Sequence, residues 1–180
     1  MSSISIKKIS ITELDVDAVV NAANTGLYAG GGVCGFIFRD AGFDEMTEAC
    51  RVIGHCDEGA AVITPGFDLP AKFVIHAVGP VWSGGGNGEP EVLYSAYKSS
   101  LDLAKEKGLH SVAFPLISAG IFGYPAELAW ERAIMACKDF LQDNEGYEMD
   151  ITFAVPDDGK KEIGEKELKE LLDKAVMGME

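Results

Sequence analysis

Apolar positions along the chain fall into short runs broken by glycine and proline, alternating with stripes at helical spacing. Residues 4–11 alternate weakly between apolar and polar and predict an edge strand. Residues 18–20 form a short continuous apolar run, as in a strand buried on both faces. Residues 33–41 begin a helical pattern directly behind a run of glycines, and residues 44–53 give a second amphipathic helix with Asp44 as its cap. Residues 60–64 and 72–78 are apolar enough for central strands, with a Pro65-Gly66 turn between them. A glycine-rich stretch at 83–89 has no periodicity and reads as a mobile loop. The clearest helix follows at 91–107, where Val92, Leu93, Ala96, Leu101, Leu103 and Ala104 supply i, i+3 and i+4 pairs. Then come a strand at 112–115, a helix at 126–141 and a strand at 151–155. Residues 162–176 form a charged helix with one apolar stripe of Leu168, Leu171, Leu172 and Ala175.

Strands alternating with helices predict an α/β fold with a mostly parallel or mixed sheet covered on both faces, a three-layer α/β/α sandwich. No internal repeat or long linker divides the sequence, so residues 1–180 read as one domain, with its core at about 4–157 and a C-terminal helix at about 162–176. A chain of 180 residues is long enough to bury a full core.

Charge narrows the partners. The formal net charge is −14, and binding to free DNA or RNA depends on clustered Lys and Arg, so free nucleic acid is not an expected partner. Any phosphate held by this chain has to be held by backbone N–H groups. Much of the acid lies within 143–170 and reads as a solvated face and tail. No basic flank precedes an apolar core of signal-peptide length, and no run approaches the roughly 18 apolar residues of a membrane span. A cytoplasmic protein with no membrane partner is expected. Cys34, Cys50, Cys56 and Cys137 contain no C-x-x-C pair and are expected as reduced thiols.

The candidate chemistry sits in two segments. Val19-Val20-Asn21-Ala22-Ala23-Asn24 leaves an apolar strand and reaches Gly30-Gly31-Gly32-Val33 at the start of a helical pattern. Pro115-Leu116-Ile117-Ser118-Ala119-Gly120-Ile121-Phe122-Gly123 leaves another strand and enters a helix near Pro125. Glycines let backbone approach a ligand, and N–H groups at a helix start face negative charge. Two such loops on one small domain point to a diphosphate, held where ligands of open α/β sheets sit, at the carboxyl ends of strands. The spacing is neither the G-x-G-x-x-G dinucleotide pattern nor a lysine-bearing phosphate loop. Asn21 is expected to bond turn backbone, whereas the Asn24 amide, both donor and acceptor, suits a ribose hydroxyl or a water. His55, Cys56 and Cys50 match no common zinc spacing, so no metal is expected. His76 reads as a satisfied core histidine and His110 as an exposed turn residue. Trp82 and Trp130 read as packing residues, with Trp82 placed to line a cleft, and Asp157-Asp158 as a solvated loop.

Four segments in order resemble the macrodomain family, modules that bind ADP-ribose, and most closely its MacroD-like branch: Asp17-Ala18-Val19-Val20-Asn21-Ala22-Ala23-Asn24; Gly30-Gly31-Gly32-Val33; Ile75-His76-Ala77-Val78-Gly79-Pro80; and Ser118-Ala119-Gly120-Ile121-Phe122-Gly123-Tyr124-Pro125. The resemblance implies that Gly30, Gly31, Gly32 and Val33 form a first phosphate loop. It implies that Ser118, Ala119, Gly120, Ile121 and Phe122 form a second, with Phe122 against the distal ribose, and that Asn24 helps hold that ribose. The implied ligand is ADP-ribose or a close derivative such as an ADP-ribosylated protein or O-acetyl-ADP-ribose. Nothing in the pattern demands more than a monomer, and no cofactor is expected.

Departures from the family pattern bear on activity. Hydrolytic members carry an aspartate directly after G-G-G-V, where this chain has Cys34. Cys34 stands at a helix start, which favours a thiolate nucleophile, but no histidine accompanies it in sequence and an ordinary small buried residue is the preferred reading. A histidine of the family's first helix is Phe38 here. The adenine-binding aspartate of a G-D-I-T segment is Ser10, followed by Ile11, and the aromatic expected after the last strand is Pro156, with Phe153 as the alternative under a slipped register. A lost base hydrogen bond and a lost stacking platform each cost on the order of 1–3 kcal/mol, together roughly two to four decades of adenine affinity. Three readings follow: an ADP-ribosyl hydrolase, in which a ligand phosphate orients the water; a non-catalytic ADP-ribose reader; or a domain with altered nucleotide specificity.

Overall fold

The Ala18-Val19-Val20 run has no polar face and packs on both sides of a sheet, with all three residues at most 1% exposed. In the computed structural model, which describes residues 2–178, this run opens β2 (Ala18–Ala23). The other strands are β1 (Ser3–Lys8), β3 (Ala61–Pro65), β4 (Phe73–Val78), β5 (Ser111–Phe114) and β6 (Asp150–Val155). The helices are α1 (Gly32–Ala41), α2 (Phe43–Ile53), α3 (Glu89–Glu106), α4 (Ala126–Asp143) and α5 (Asp158–Gly178), with a short 3-10 turn at Ile11–Glu13.

The sheet order is β1-β6-β5-β2-β4-β3. Parallel pairing joins β1 to β6, β6 to β5, β5 to β2 and β2 to β4, while β3 runs antiparallel to β4 on the far edge. Side chains alternate between faces along each strand. Val20, Ile75, Phe114 and Phe153 face one way, into a core with Leu93, Tyr97 and Leu101 of α3 and Trp130 and Phe140 of α4. Val19, Val74 and Ala113 face the other, against Ile37 and Phe38 of α1 and Met46 and Cys50 of α2. The expected three-layer α/β/α sandwich with a mixed sheet is the observed architecture.

Element boundaries moved where caps decide them. Asp44 is not the cap of α2; Gly42 is, at φ 111°, and Asp44 lies in the first turn. The last helix starts at Asp158 rather than near 162, because the Asp157 carboxylate accepts the Lys160 N–H at 2.8 Å. In the expected stripe of that helix, Leu168 and Leu171 pack against the core, while the side chains of Leu172 and Ala175 lie outside the described residues. The 83–89 stretch, expected as a mobile loop, instead closes around the buried carboxylate of Glu89, the first residue of α3.

Candidate functional site

β2 and β5 lie side by side in mid-sheet, and both carboxyl ends open into the two glycine loops. Between those loops is a cavity of about 300 Å³. Asn24, Gly30, Gly31, Gly32, Val33 and Cys34 line it from one side, and Ser118, Gly120, Ile121 and Phe122 from the other. None of its lining residues is charged. A polyanion placed here would be met by backbone N–H dipoles and neutral polar side chains, not by cations. The helix start at Gly32 supplies one set, since the first N–H groups of a helix have no intrahelical acceptor. The second loop supplies another: among the described residues the N–H groups of Gly120, Ile121 and Phe122 have no hydrogen-bond acceptor.

The second loop is braced from inside. The Ile117 N–H donates to the Tyr97 hydroxyl at 2.8 Å, and that hydroxyl donates to the Pro115 carbonyl at 3.3 Å. Burial pushes the Tyr97 phenol well above its ordinary pKa, so it stays a neutral strut. Tyr124 N–H to Ser118 carbonyl, 2.9 Å, closes the loop on itself. Ser118 is held at φ 68°, a conformation that costs a non-glycine residue about 1–3 kcal/mol. Its buried hydroxyl has no partner among the described residues. Ala119 belongs to the loop but does not line the cavity; its N–H bonds the Leu116 carbonyl at 3.3 Å. The loops meet where the Ile121 side chain lies over Gly31, so that a Cβ on Gly31 would stand 2.8 Å from Ile121 Cδ1.

Asn24 is committed to its own turn: its Oδ1 accepts the Tyr28 N–H at 3.2 Å and its Nδ2 donates to the Tyr28 carbonyl at 2.9 Å. This is the backbone-bonding role that the sequence suggested for Asn21. Asn21 does something else. It lies within β2, and strand register places it beside His76 of β4. Its Nδ2 is 3.0 Å from His76 Nδ1 and 3.5 Å from Cys34 Sγ, and its Oδ1 has no partner among the described residues.

His76 is the satisfied core histidine expected, with Thr64 Oγ1 at 3.0 Å and Cys50 Sγ at 3.8 Å from Nε2. Burial lowers its pKa to about 4 and keeps the ring neutral. Phe38 packs edge-on to it, with ring centroids 6.3 Å apart. Cys34 lines the cavity, and the Gly30 N–H points at its sulfur from 3.4 Å. Burial, with the Cys34 sulfur as a smaller contribution, raises the Cys50 thiol to about 11.

The adenine-end expectations fare differently. Ser10, Ile11 and Pro156 do not line the cavity. Ser10 is exposed with its hydroxyl 3.0 Å from Thr12 Oγ1, Ile11 is buried in the α1 layer, and Pro156 is exposed. Register pairs Lys8 with Val155, so the segments carrying Ser10 and Pro156 leave neighbouring strands at the same end of the sheet, on the β6 side of the cavity. Phe153 is no stacking platform: it is 0% exposed and packed against Trp130 and Phe114. Trp82 is half-buried against Tyr124 and does not line this cavity. Among the described residues no group of three His, Cys, Asp or Glu side chains is placed to hold a metal ion. Among the described residues no helix is long and apolar enough to cross a membrane.

The sequence reading missed Tyr28, Tyr97 and Glu89. Glu89 follows a glycine-rich stretch at a helix start, where N–H donors gather, and that pattern was the available signal. Hydrogen bonds from the backbone of Ser83 foremost, then Gly85 and Asn87, hold its carboxyl down at about 2.

The macro domain family model matches residues 20–133, which include both loops, all of β5 and most of β2. The chain belongs to the macro domain family. A macro domain-containing protein of Chlorobaculum tepidum is 55% identical over 141 residues, spanning 78% of this chain and 81% of that protein. A Cronobacter turicensis protein named O-acetyl-ADP-ribose deacetylase is 50% identical over 135 residues, 73% of this chain and 76% of the relative. Among solved structures, the Oceanobacillus iheyensis macrodomain with ADP matches with a TM-score of 0.89 at 35% identity, over 94% of this chain and 91% of that one. The Trypanosoma brucei macrodomain in complex with ADP-ribose matches at 0.84 with 37% identity, over 91% and 68% of the two chains.

Proposed function

We propose that this macro domain binds ADP-ribose or a close derivative, with the diphosphate across the two loops and the distal ribose between Asn24 and Phe122. The observation that carries the reading is a cavity lined by both glycine loops and by no charged side chain, in a chain of net charge −14. Such a site recognises phosphate through fixed N–H dipoles, which avoids the repulsion a lining carboxylate would add. The solved relatives with ADP and ADP-ribose support the ligand class. Calorimetric titration with ADP-ribose, ADP, AMP and the guanine analogue of ADP-ribose tests it. Micromolar affinity for ADP-ribose with weak AMP binding is expected; no binding to any of the four sinks the reading.

A second reading is hydrolysis of an ADP-ribosyl ester, and the Cronobacter turicensis relative named a deacetylase favours it. No carboxylate or imidazole lines the cavity, so a water would have to be oriented by Asn24 and by the ligand's own phosphate. Single-turnover release of label from a mono-ADP-ribosylated protein and of acetate from O-acetyl-ADP-ribose separates the two readings. Release no faster than without protein leaves a reader.

A further inference from the structure

The segment after β4 runs alongside the second glycine loop, and a buried carboxylate outside the cavity fixes its shape. At the near end Gly79 lies against Ser118, and a Cβ there would stand 2.3 Å from Ser118 Oγ. At the far end the Trp82 N–H donates to the Phe122 carbonyl at 2.9 Å. The Trp82 ring packs on Tyr124, centroid to centroid 4.6 Å. Beyond Trp82 the chain makes a strap of residues 83–88 that returns to α3.

Glu89 closes that strap. It is 2% exposed, and its carboxylate accepts N–H bonds from Ser83 at 3.0 Å, Gly85 at 2.8 Å and Asn87 at 2.6 Å. The Ser83 hydroxyl donates to it as well, at 3.3 Å. A buried carboxylate persists only when such charge-assisted bonds replace its water. Gly85 lies against Trp82: at φ +86° it takes a backbone conformation disfavoured for other residues, and a Cβ there would meet Trp82 Cη2 at 2.8 Å. The chain of contact therefore runs from Glu89 through the strap to Trp82, and from Trp82 to the carbonyl of Phe122, whose residue lines the cavity.

Resting on the reading of the cavity as an ADP-ribose site, we propose that Glu89 is a specificity-determining positioning residue: by closing the 83–88 strap it holds Trp82, and through Trp82 the Phe122 end of the second loop, so that the loop selects ligands with a ribose beyond the diphosphate. Glu89 touches no ligand itself. Its effect falls on discrimination between ADP-ribose and ADP, which differ by that ribose.

The test is titration of the wild type, Glu89→Gln, Glu89→Asp and Gly85→Ala with both nucleotides, alongside melting temperatures. Glu89→Gln should weaken ADP-ribose by about tenfold and ADP by less than about threefold, collapsing the preference, and Glu89→Asp should restore part of it. If Glu89→Gln does not fold, Gly85→Ala carries the same test, since it displaces Trp82 and leaves the carboxylate in place. Proportional weakening of both nucleotides, or a lowered melting temperature with the preference intact, would overturn the proposal and leave Glu89 a structural residue. A wild type that binds both nucleotides equally, or variants that keep the wild-type preference, would overturn it while leaving the nucleotide site standing. A wild type that binds neither ends both readings.

Discussion

Asn24 holds both backbone polar groups of Tyr28, accepting its N–H on Oδ1 at 3.2 Å and donating from Nδ2 to its carbonyl at 2.9 Å. The amide that the proposed function assigns to the distal ribose is thus also the clasp of the first loop. An exposed pair of hydrogen bonds of this kind contributes on the order of 1 kcal/mol. Asn24→Ala should therefore cost about 1 kcal/mol of stability, and weaken ADP-ribose by more than that loss explains, about tenfold or more. Chemical denaturation and calorimetry on the same variant separate the two effects. Unchanged affinity would remove Asn24 from the ligand site.

Gly79 and Ser118 leave no room for a methyl group between them. A Cβ at 79 would lie 2.3 Å from Ser118 Oγ and 2.6 Å from Ile117 Cγ2. Overpacking of this kind costs typically about 1–3 kcal/mol. Gly79→Ala should destabilise the protein by that amount in urea melts and reduce nucleotide affinity, because the displaced residue carries the second loop. A variant with wild-type affinity would mean that the loop tolerates movement at Ser118.

Cys34 occupies the helix-start position beside the Asn21 amide and the Gly30 N–H. A carboxylate there would find donors already in place. If the rest of the site is competent, Cys34→Asp should raise single-turnover hydrolysis of a mono-ADP-ribosylated protein by about tenfold or more, equivalent to about 1.4 kcal/mol of barrier. A variant that binds ADP-ribose and shows no gain in rate would place the deficiency elsewhere, Phe38 being the next departure to examine.

Acid should weaken the fold in two stages, and the sign follows from proton uptake. His76 titrates near 6.5 when unfolded and near 4 when folded, so between those values the unfolded chain holds more protons and stability falls as pH drops. The contribution is complete above pH 6.5 and on the order of 3 kcal/mol. Glu89, lowered from 4.5 to about 2, acts in the same direction in the window below pH 4.5. Denaturant midpoints at pH 7, 5.5 and 4 should decline in the wild type and decline less in His76→Gln. Equal slopes would remove His76 as the source.

Salt distinguishes a dipole site from a basic patch. With no lining cation and a net charge of −14, screening should leave ADP-ribose affinity unchanged or tighten it by less than about threefold between low and physiological salt. Tenfold weakening would show that cations outside the cavity reach the ligand.

The sequence by itself determined what depends on neighbours along the chain. Hydrophobic period placed the strands and helices, because burial on one or both faces repeats at fixed residue spacing. Glycine runs behind apolar strands located both loops, because close backbone approach needs glycine at particular positions. Tertiary structure decided what depends on which strands lie side by side. Asn21 meets His76 only because β2 and β4 pair in that register, which turned an expected turn residue into a buried link between Cys34 and the core. Phe153 was lost to the core because the pleat faces it toward Trp130. Glu89 is a local case: its three N–H donors, at Ser83, Gly85 and Asn87, lie two to six residues before it, and the glycine-rich approach to a helix start was the signal for them. Local pattern fixes elements, whereas the partners of Asn21 and the burial of Phe153 are set by contacts between segments far apart in the chain, which no local period encodes.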